Sequence, residues 1–344
     1  MSATDPLSRL LAERGRLLAD GAIGTNLFAM GLETGAAPEL WNLECPQRVE
    51  ALHRSFVAAG SDLILTNTFG ANRYRLALHG AAGRVAEVNA AAARIARQVA
   101  DAAPRRVLVG GSMGPTGEVL EPLGSLTAAE ARAAFAEQAE ALAGAGVDVL
   151  WIETLSSREE LEAALAGAAG SGLAVVCTLS FDTHGRTMMG ISPGEFAALC
   201  HAATPPPRAF GANCGVGPAE CVAGLLGLRA VAAGDLIVAK ANCGLPEWSD
   251  GGVRYSGTPE LMADYARLAA DAGARIIGGC CGTTAEHVAA MRAALDAHRP
   301  GPPPTLEDLE ARLGAISEGA RGVAGGQRRR RPPRTRRRGV GPPR

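Results

Sequence analysis

Two cysteines side by side between glycines, Cys280-Cys281 in GGCCGTT, are the residues of this chain most suited to chemistry. Adjacent thiols in so glycine-rich a stretch sit where the backbone turns tightly. They allow three readings: a strained vicinal disulfide, two buried apolar side chains, or part of a metal site completed by a cysteine from elsewhere. Cys214 in GANCGVGP is the cysteine placed to complete it. Three thiolates with a fourth position open is the pattern of a catalytic zinc centre rather than a structural one. The spacing alone does not decide, because the chain has no CxxC or HxxxH.

The remaining cysteines read as packing residues. Cys177 falls inside a strand, and Cys45, Cys200 and Cys221 fall in loops or helices; Cys243 is the one rival ligand. The histidines, His53 and His287 in expected helices and His79, His184, His201 and His298 near loops or helix ends, read as solvated. Two carboxylates stand out because they end otherwise apolar runs: Asp20 in RLLAD and Glu153 in VDVLWIE. For Asp20 the plainer reading is turn chemistry before Gly21; for Glu153 it is an ion pair with an arginine.

The elements that must carry these residues repeat one pattern. Short apolar runs stand at 16–20, 62–67, 106–111, 147–153, 174–180, 209–214, 236–242 and 274–280. Helical stretches follow at about 47–59, 81–102, 127–145, 156–170, 192–203, 217–232, 258–272 and 283–297. The runs are continuous rather than alternating, as in strands buried on both faces of a parallel sheet. Eight such β-then-α units predict a (β/α)8 TIM barrel within α/β, with a doubly wound open sheet as the alternative. Barrel chemistry gathers at the C-terminal ends of the strands. There this sequence places Asp20, Asn67, Gly111-Ser112, Glu153, Cys214 and Cys280-Cys281.

Composition agrees. Of 344 residues, 47% are hydrophobic and only 4% aromatic, so the interior must be built from Ala, Val, Leu and Ile. The N-terminus carries acids and lacks a long apolar run, so it reads as no secretory signal, and no apolar run reaches the 18 or more residues of a membrane span. Eight cysteines without a signal sequence fit a reducing, cytoplasmic setting. The net charge of −1 hides an asymmetry: ten Arg and no acid from Arg321 onward leave −11 on the first 320 residues. Residues 1–300 read as the barrel, 301–318 as a short helix, and 319–344 as a disordered basic tail. That tail has no aromatic residues among its arginines to stack on bases, so it reads as solvated rather than as a nucleic-acid site.

Six segments carry a family resemblance: ADGAIGTNL (19–27), AGSDLILTNTFGA (59–71), GSMGPTGE (111–118), DVLWIET (148–154), GANCGVGP (211–218) and GGCCGTT (278–284). Together they resemble the homocysteine S-methyltransferase family, which includes betaine-dependent and cobalamin-dependent enzymes. The resemblance spans about residues 10–297. It implies a homocysteine-binding barrel with zinc on Cys214, Cys280 and Cys281, and Asp20 and Glu153 on the substrate ammonium. It also places segment 111–116 near the substrate. Composition, rather than the resemblance, suggests that backbone N–H groups around Gly111-Ser112 hold the substrate carboxylate, and Asn67 at the end of the second strand is a further substrate-binding candidate. Trp41 matches an aromatic residue used for betaine, whereas Gly70 stands where betaine enzymes carry tyrosine. The implied reaction is SN2 methyl transfer to a zinc-bound thiolate. The methyl comes either from methylcobalamin on a separate corrinoid protein or from betaine. Rival readings are a non-catalytic zinc barrel that docks on a partner, and the same chemistry on another thiol or a selenol.

Overall fold

A computed structural model describes residues 5–249 and 252–325. The strands are β1 (Leu17–Leu18), β2 (Leu63–Leu65), β3 (Leu108–Met113), β4 (Val149–Leu155), β5 (Val175–Leu179), β6 (Ala209–Cys214) and β7 (Ile237–Ala241). A hairpin of β8 (Pro246–Ser249) and β9 (Gly252–Tyr255) follows, then β10 (Ala274–Gly279). All but the hairpin form one parallel sheet in the order β1-β10-β7-β6-β5-β4-β3-β2. A parallel bridge between Ala19 and Leu63 joins its two ends, so the sheet closes as a (β/α)8 barrel. The hairpin was not expected from the apolar runs.

The closing seam is made largely by side chains. Asp62 Oδ2 accepts from Leu18 N at 2.8 Å and Asp20 Oδ2 accepts from Leu65 N at 2.7 Å. Each carboxylate takes a backbone donor that a ladder would otherwise pair, which is why β1 is shorter than its apolar run. Arg14 and Arg292 pair with Asp62 from outside the ring.

A helix that the strand count did not anticipate, Pro6–Arg14, is capped by Asp5, whose side chain accepts from Ser8 N. Its Leu7, Leu10 and Leu11 join inward residues of the strands, from Leu17 to Ile276, in one cluster that fills the barrel. Burying each contributes about 1.5–3 kcal/mol.

The end of the chain departs from expectation. Helix Leu306–Leu313 falls inside the expected 301–318 segment, but a second helix, Glu318–Ala324, occupies what composition assigned to the disordered tail. Small residues make it fit. A side chain at Gly319 would strike His184, Ala320 is buried, and Val323 packs over Gly227. Ser317 caps it, and Arg321 pairs with Glu310. Residues 326–344, which hold the rest of the expected disordered basic tail, lie outside the described residues. No helix among the described residues is long and apolar enough to cross a membrane.

His53 also departs from expectation. It is fully buried in helix Pro46–Ala58, with neither ring nitrogen hydrogen-bonded among the described residues. Burial pulls its pKa down to about 4. The folded state therefore binds fewer protons than the unfolded one between about pH 6.5 and 4, and stability is lost as pH falls through that window. The lowered pKa corresponds to about 3 kcal/mol. Replacing His53 with Leu is expected to remove this loss, seen as a flatter dependence of Tm on pH below 6.5 than in the unsubstituted protein.

Candidate functional site

Strand alternation decides most of the site. Leu108, Val149, Ala209, Val238 and Ile276 point into the barrel. Continuing two or four residues along each strand, Ser112, Glu153, Asn213, Lys240 and Cys280 face the same interior at its C-terminal end. Two residues break the rule through backbone conformation. Alternation puts Thr154 and Cys214 on the outer face, but both have left-handed φ, 64° and 59°. Such angles are costly for residues with a Cβ and persist where the surroundings impose them. Asn213 holds Thr154 in place, donating to its hydroxyl at 2.7 Å and accepting from its N–H at 3.1 Å.

The three expected sulfurs come together. Those of Cys214, Cys280 and Cys281 all lie within 4.8 Å of one another, with Cys214 and Cys281 at 4.0 Å. Asn242 braces both loops that carry them: its Oδ1 accepts from Cys281 N at 3.0 Å and its Nδ2 donates to Gly215 O at 2.5 Å. Gly282, at φ 78°, makes the turn after the pair. The thiols interact strongly. Hydrogen bonds from Cys214 and Cys280 hold Cys281 well below an ordinary thiol, while Cys214 is pushed far up by sharing protons with the other two. One negative charge therefore settles on the cluster readily, and further ones need a cation. Sulfurs bound to zinc at about 2.3 Å stand about 3.8 Å apart in a tetrahedron, close to the 4.0 Å between Cys214 and Cys281. Cys243, the rival ligand, is buried beneath Gly257 and outside the cluster. All eight cysteines are free.

A cavity of about 310 Å³ opens beside the sulfurs, lined among others by Gly21–Thr25, Ser112, Glu153, Lys240 and all three cysteines. Glu153 accepts from Ser112 Oγ at 2.5 Å. Burial and the nearby Cys280 push its pKa up to about 7, against the opposing pull of Lys240 and Ser112. Lys240 was missed in the sequence. It is 2% exposed, and its Nζ donates to Asp20 Oδ1 at 2.7 Å. Burial alone would lower its pKa, but Asp20 and Glu153 raise it above the ordinary value. The signal was available: a lysine within IVAKA, in a strand buried on both faces, must have an acidic partner.

The other expected site residues are placed differently. Asp20 is fully buried, with its two oxygens taken by Lys240 and Leu65 N, and it does not line the cavity. Gly111 faces Leu142 of an outer helix, so it is not a cavity residue. The N–H of Ser112 donates to Thr66 Oγ1 at 3.0 Å and is not free for a carboxylate. Asn67 lines the cavity; its Nδ2 is committed to Pro38 O and Asn42 Oδ1, while its Oδ1 accepts no hydrogen bond among the described residues. Trp41 is 8% exposed and covered by the Arg48 guanidinium, 4.9 Å from its ring centre, away from the cavity. Phe28 and Phe69, which the sequence reading did not single out as site residues, are the aromatics that line it.

A barrel with its sulfurs and polar groups gathered at the C-terminal mouth is built as an enzyme of the (β/α)8 class. A family model described as homocysteine S-methyltransferase matches residues 17–295, and the chain belongs to that family. It is similar to methionine synthase of Mycobacterium tuberculosis, 34% identical over 81% of this chain and 24% of that protein. With methionine synthase of Mycobacterium leprae it is 33% identical, over 84% and 25%. It thus spans about a quarter of the length of these curated relatives. Among solved structures, the metallated form of homocysteine methyltransferase MmuM from Escherichia coli matches with a TM-score of 0.71. The two are 26% identical, over 84% of this chain and 99% of that one.

Proposed function

We propose that the chain methylates the thiol of L-homocysteine to give methionine, with zinc held by Cys214, Cys280 and Cys281. The observation that carries this reading is the convergence of those three sulfurs within 4.8 Å at a cavity that Glu153 also lines. The similar Escherichia coli protein has a metallated form, which supports the metal. When bound, zinc would supply the positive charge that keeps a thiol ionised at neutral pH. The protein's own groups do the rest. Glu153, oriented by Ser112, takes the substrate ammonium through a charge-assisted hydrogen bond. Asn213 and Asn242 hold the cysteine-bearing loops, and the cavity walls limit water around the reacting sulfur. The sulfur forms its bond to the methyl carbon as the bond from that carbon to the donor breaks, and the thiol proton leaves to solvent. The free thiols fit a reducing, cytoplasmic setting.

For the methyl donor, the reading is methylcobalamin carried by a separate corrinoid protein. The segments TNTFGA, GPTGE and GANCGVGP, which look more like the cobalamin-dependent module than the betaine enzymes, support it. So does a ring of exposed apolar side chains on the loops around the mouth, including Val119, Leu123, Met189 and Leu245, suited to a large partner. Betaine, or a related methylated ammonium or sulfonium, is the second reading, favoured by Phe28 and Phe69 in the cavity wall. Zinc-loaded protein given homocysteine is expected to form methionine with methylcobalamin and not with betaine. The opposite pattern would reverse the donor assignment. Zinc binding with no methyl transfer from any donor would leave only a docking barrel.

A further inference from the structure

We propose that the arginine-rich end of this chain, residues 326–344, docks back on its own barrel, in an acidic groove between the loops that follow β3, β4 and β5. The proposal does not depend on which substrate the barrel takes.

The groove, of about 430 Å³, lies on the C-terminal face of the barrel. Its walls are residues 118–123 after β3, 156–160 after β4 and 189–191 after β5. Five carboxylates line it against one guanidinium, that of Arg158, which pairs with Glu162 at 3.9 Å. Two of the five are engaged. Glu160 is buried and accepts from the N–H of Thr116 at 2.8 Å and from its hydroxyl at 2.6 Å. Glu195 caps its own helix and pairs with Arg186 at 3.2 Å. Glu118, Glu121 and Glu159 are exposed and form no ion pair among the described residues. Between the acids, Val119, Leu123 and Met189 expose apolar surface. Such a face suits arginine, which lays its methylenes on apolar side chains and keeps its guanidinium for carboxylates.

The chain brings arginines to the edge of this groove. Its last described helix, Glu318–Ala324, leans on the loop after β5: Gly319 lies against His184, and Ala320 against Gly185. Val323 and Pro193 both close over Gly227, and Pro193 opens the helix whose Glu195 lines the groove. Residues 326–344 hold nine arginines and no acid, beginning at Arg328, three residues past Gly325. At about 3.3 Å per extended residue these 19 residues reach up to about 60 Å, ample to cross the groove. A single exposed ion pair contributes little. A tether, however, sets the effective concentration near millimolar, so several weak pairs suffice. Docked there, the segment covers part of the apolar rim, and a partner protein that uses the rim must displace it.

The test is photocrosslinking in the full chain with Val340 replaced by p-benzoylphenylalanine, on mixed isotopically heavy and light protein, read by mass spectrometry. Cross-links are expected from position 340 to residues 118–123 or 188–191, within one isotopic form. Raising salt from about 0.1 M to about 1 M shortens the screening length from about 10 Å to about 3 Å and should cut the yield at least about fivefold. E118Q/E121Q/E159Q should do the same at low salt, with Tm and zinc content unchanged; should that variant not fold, the salt series decides. Heavy–light cross-links would seat the segment on a second copy, and cross-links to co-purifying nucleic acid would give it another partner; either overturns the proposal. So does a yield that neither salt nor the triple variant lowers, or the absence of any cross-link to the groove.

Discussion

Replacing Cys281 with Ala is expected to remove zinc and methyl transfer together. Two thiolates remain in the variant, and Cys214, which lies 4.0 Å from the lost sulfur, keeps no partner on that side. Disturbing only an outer-shell partner of a metal ligand costs 10–100-fold in metal affinity or activity, so losing a ligand should exceed about 100-fold in affinity. Metal analysis after dialysis should fall from about one zinc per chain to near none, and turnover should fall with it. Cys281 is partly buried at the barrel mouth rather than in the packed core, so Tm of the metal-free proteins should differ little. A variant that lost its zinc and kept full turnover would remove the metal from the reaction. One that kept its zinc would remove Cys281 from the ligand set.

Replacing Glu153 with Gln is the second large effect, and it separates substrate from metal. Gln keeps the shape and the hydrogen bond from Ser112 but cannot offer a charge. Truncating one member of a buried charge pair costs roughly 2–5 kcal/mol, which corresponds to at least about a 30-fold rise in KM for homocysteine. Losing an interaction that is present equally in the ground and transition states raises KM and spares kcat. Zinc content should not change. If zinc were lost and KM kept, Glu153 would belong to the metal centre instead.

The barrel was legible because it is written redundantly. Eight apolar runs, each followed by a helix, leave few other folds, and each observed barrel strand overlaps one of them. The cysteine cluster was legible for a different reason: Cys280 and Cys281 sit at a strand end, and Cys214 ends a strand two places away in the ring. The sequence did not show how Cys214 reaches them, since alternation alone turns it outward and the left-handed φ that redirects it is a product of tertiary packing. Lys240 was hidden inside an apolar run, where its charge was the clue. Asp20 was visible as a strand-end acid, but its role depends on Lys240, 220 residues away. Gly111 lies in a segment that resembles the family and Trp41 matches a family aromatic, yet Trp41 packs under Arg48 and the open face of Gly111 meets Leu142. The hairpin of β8 and β9 left a sequence trace in Asp250-Gly251 between short runs, a pairing that favours tight turns. Helix Glu318–Ala324 left none, because composition does not show that Gly319 and Gly227 make room for it.

The ring is fastened unevenly, and this orders what fails first. Between β1 and β2 a single bridge and two carboxylates replace a run of backbone rungs, whereas β6, β7 and β10 are joined by five rungs at each junction. The sulfurs and Lys240 lie on the well-laced arc; Asp20 hangs from the clasp. Gentle loosening of the protein by warmth or denaturant should therefore part the barrel at Asp20 and Asp62 while the metal is still held.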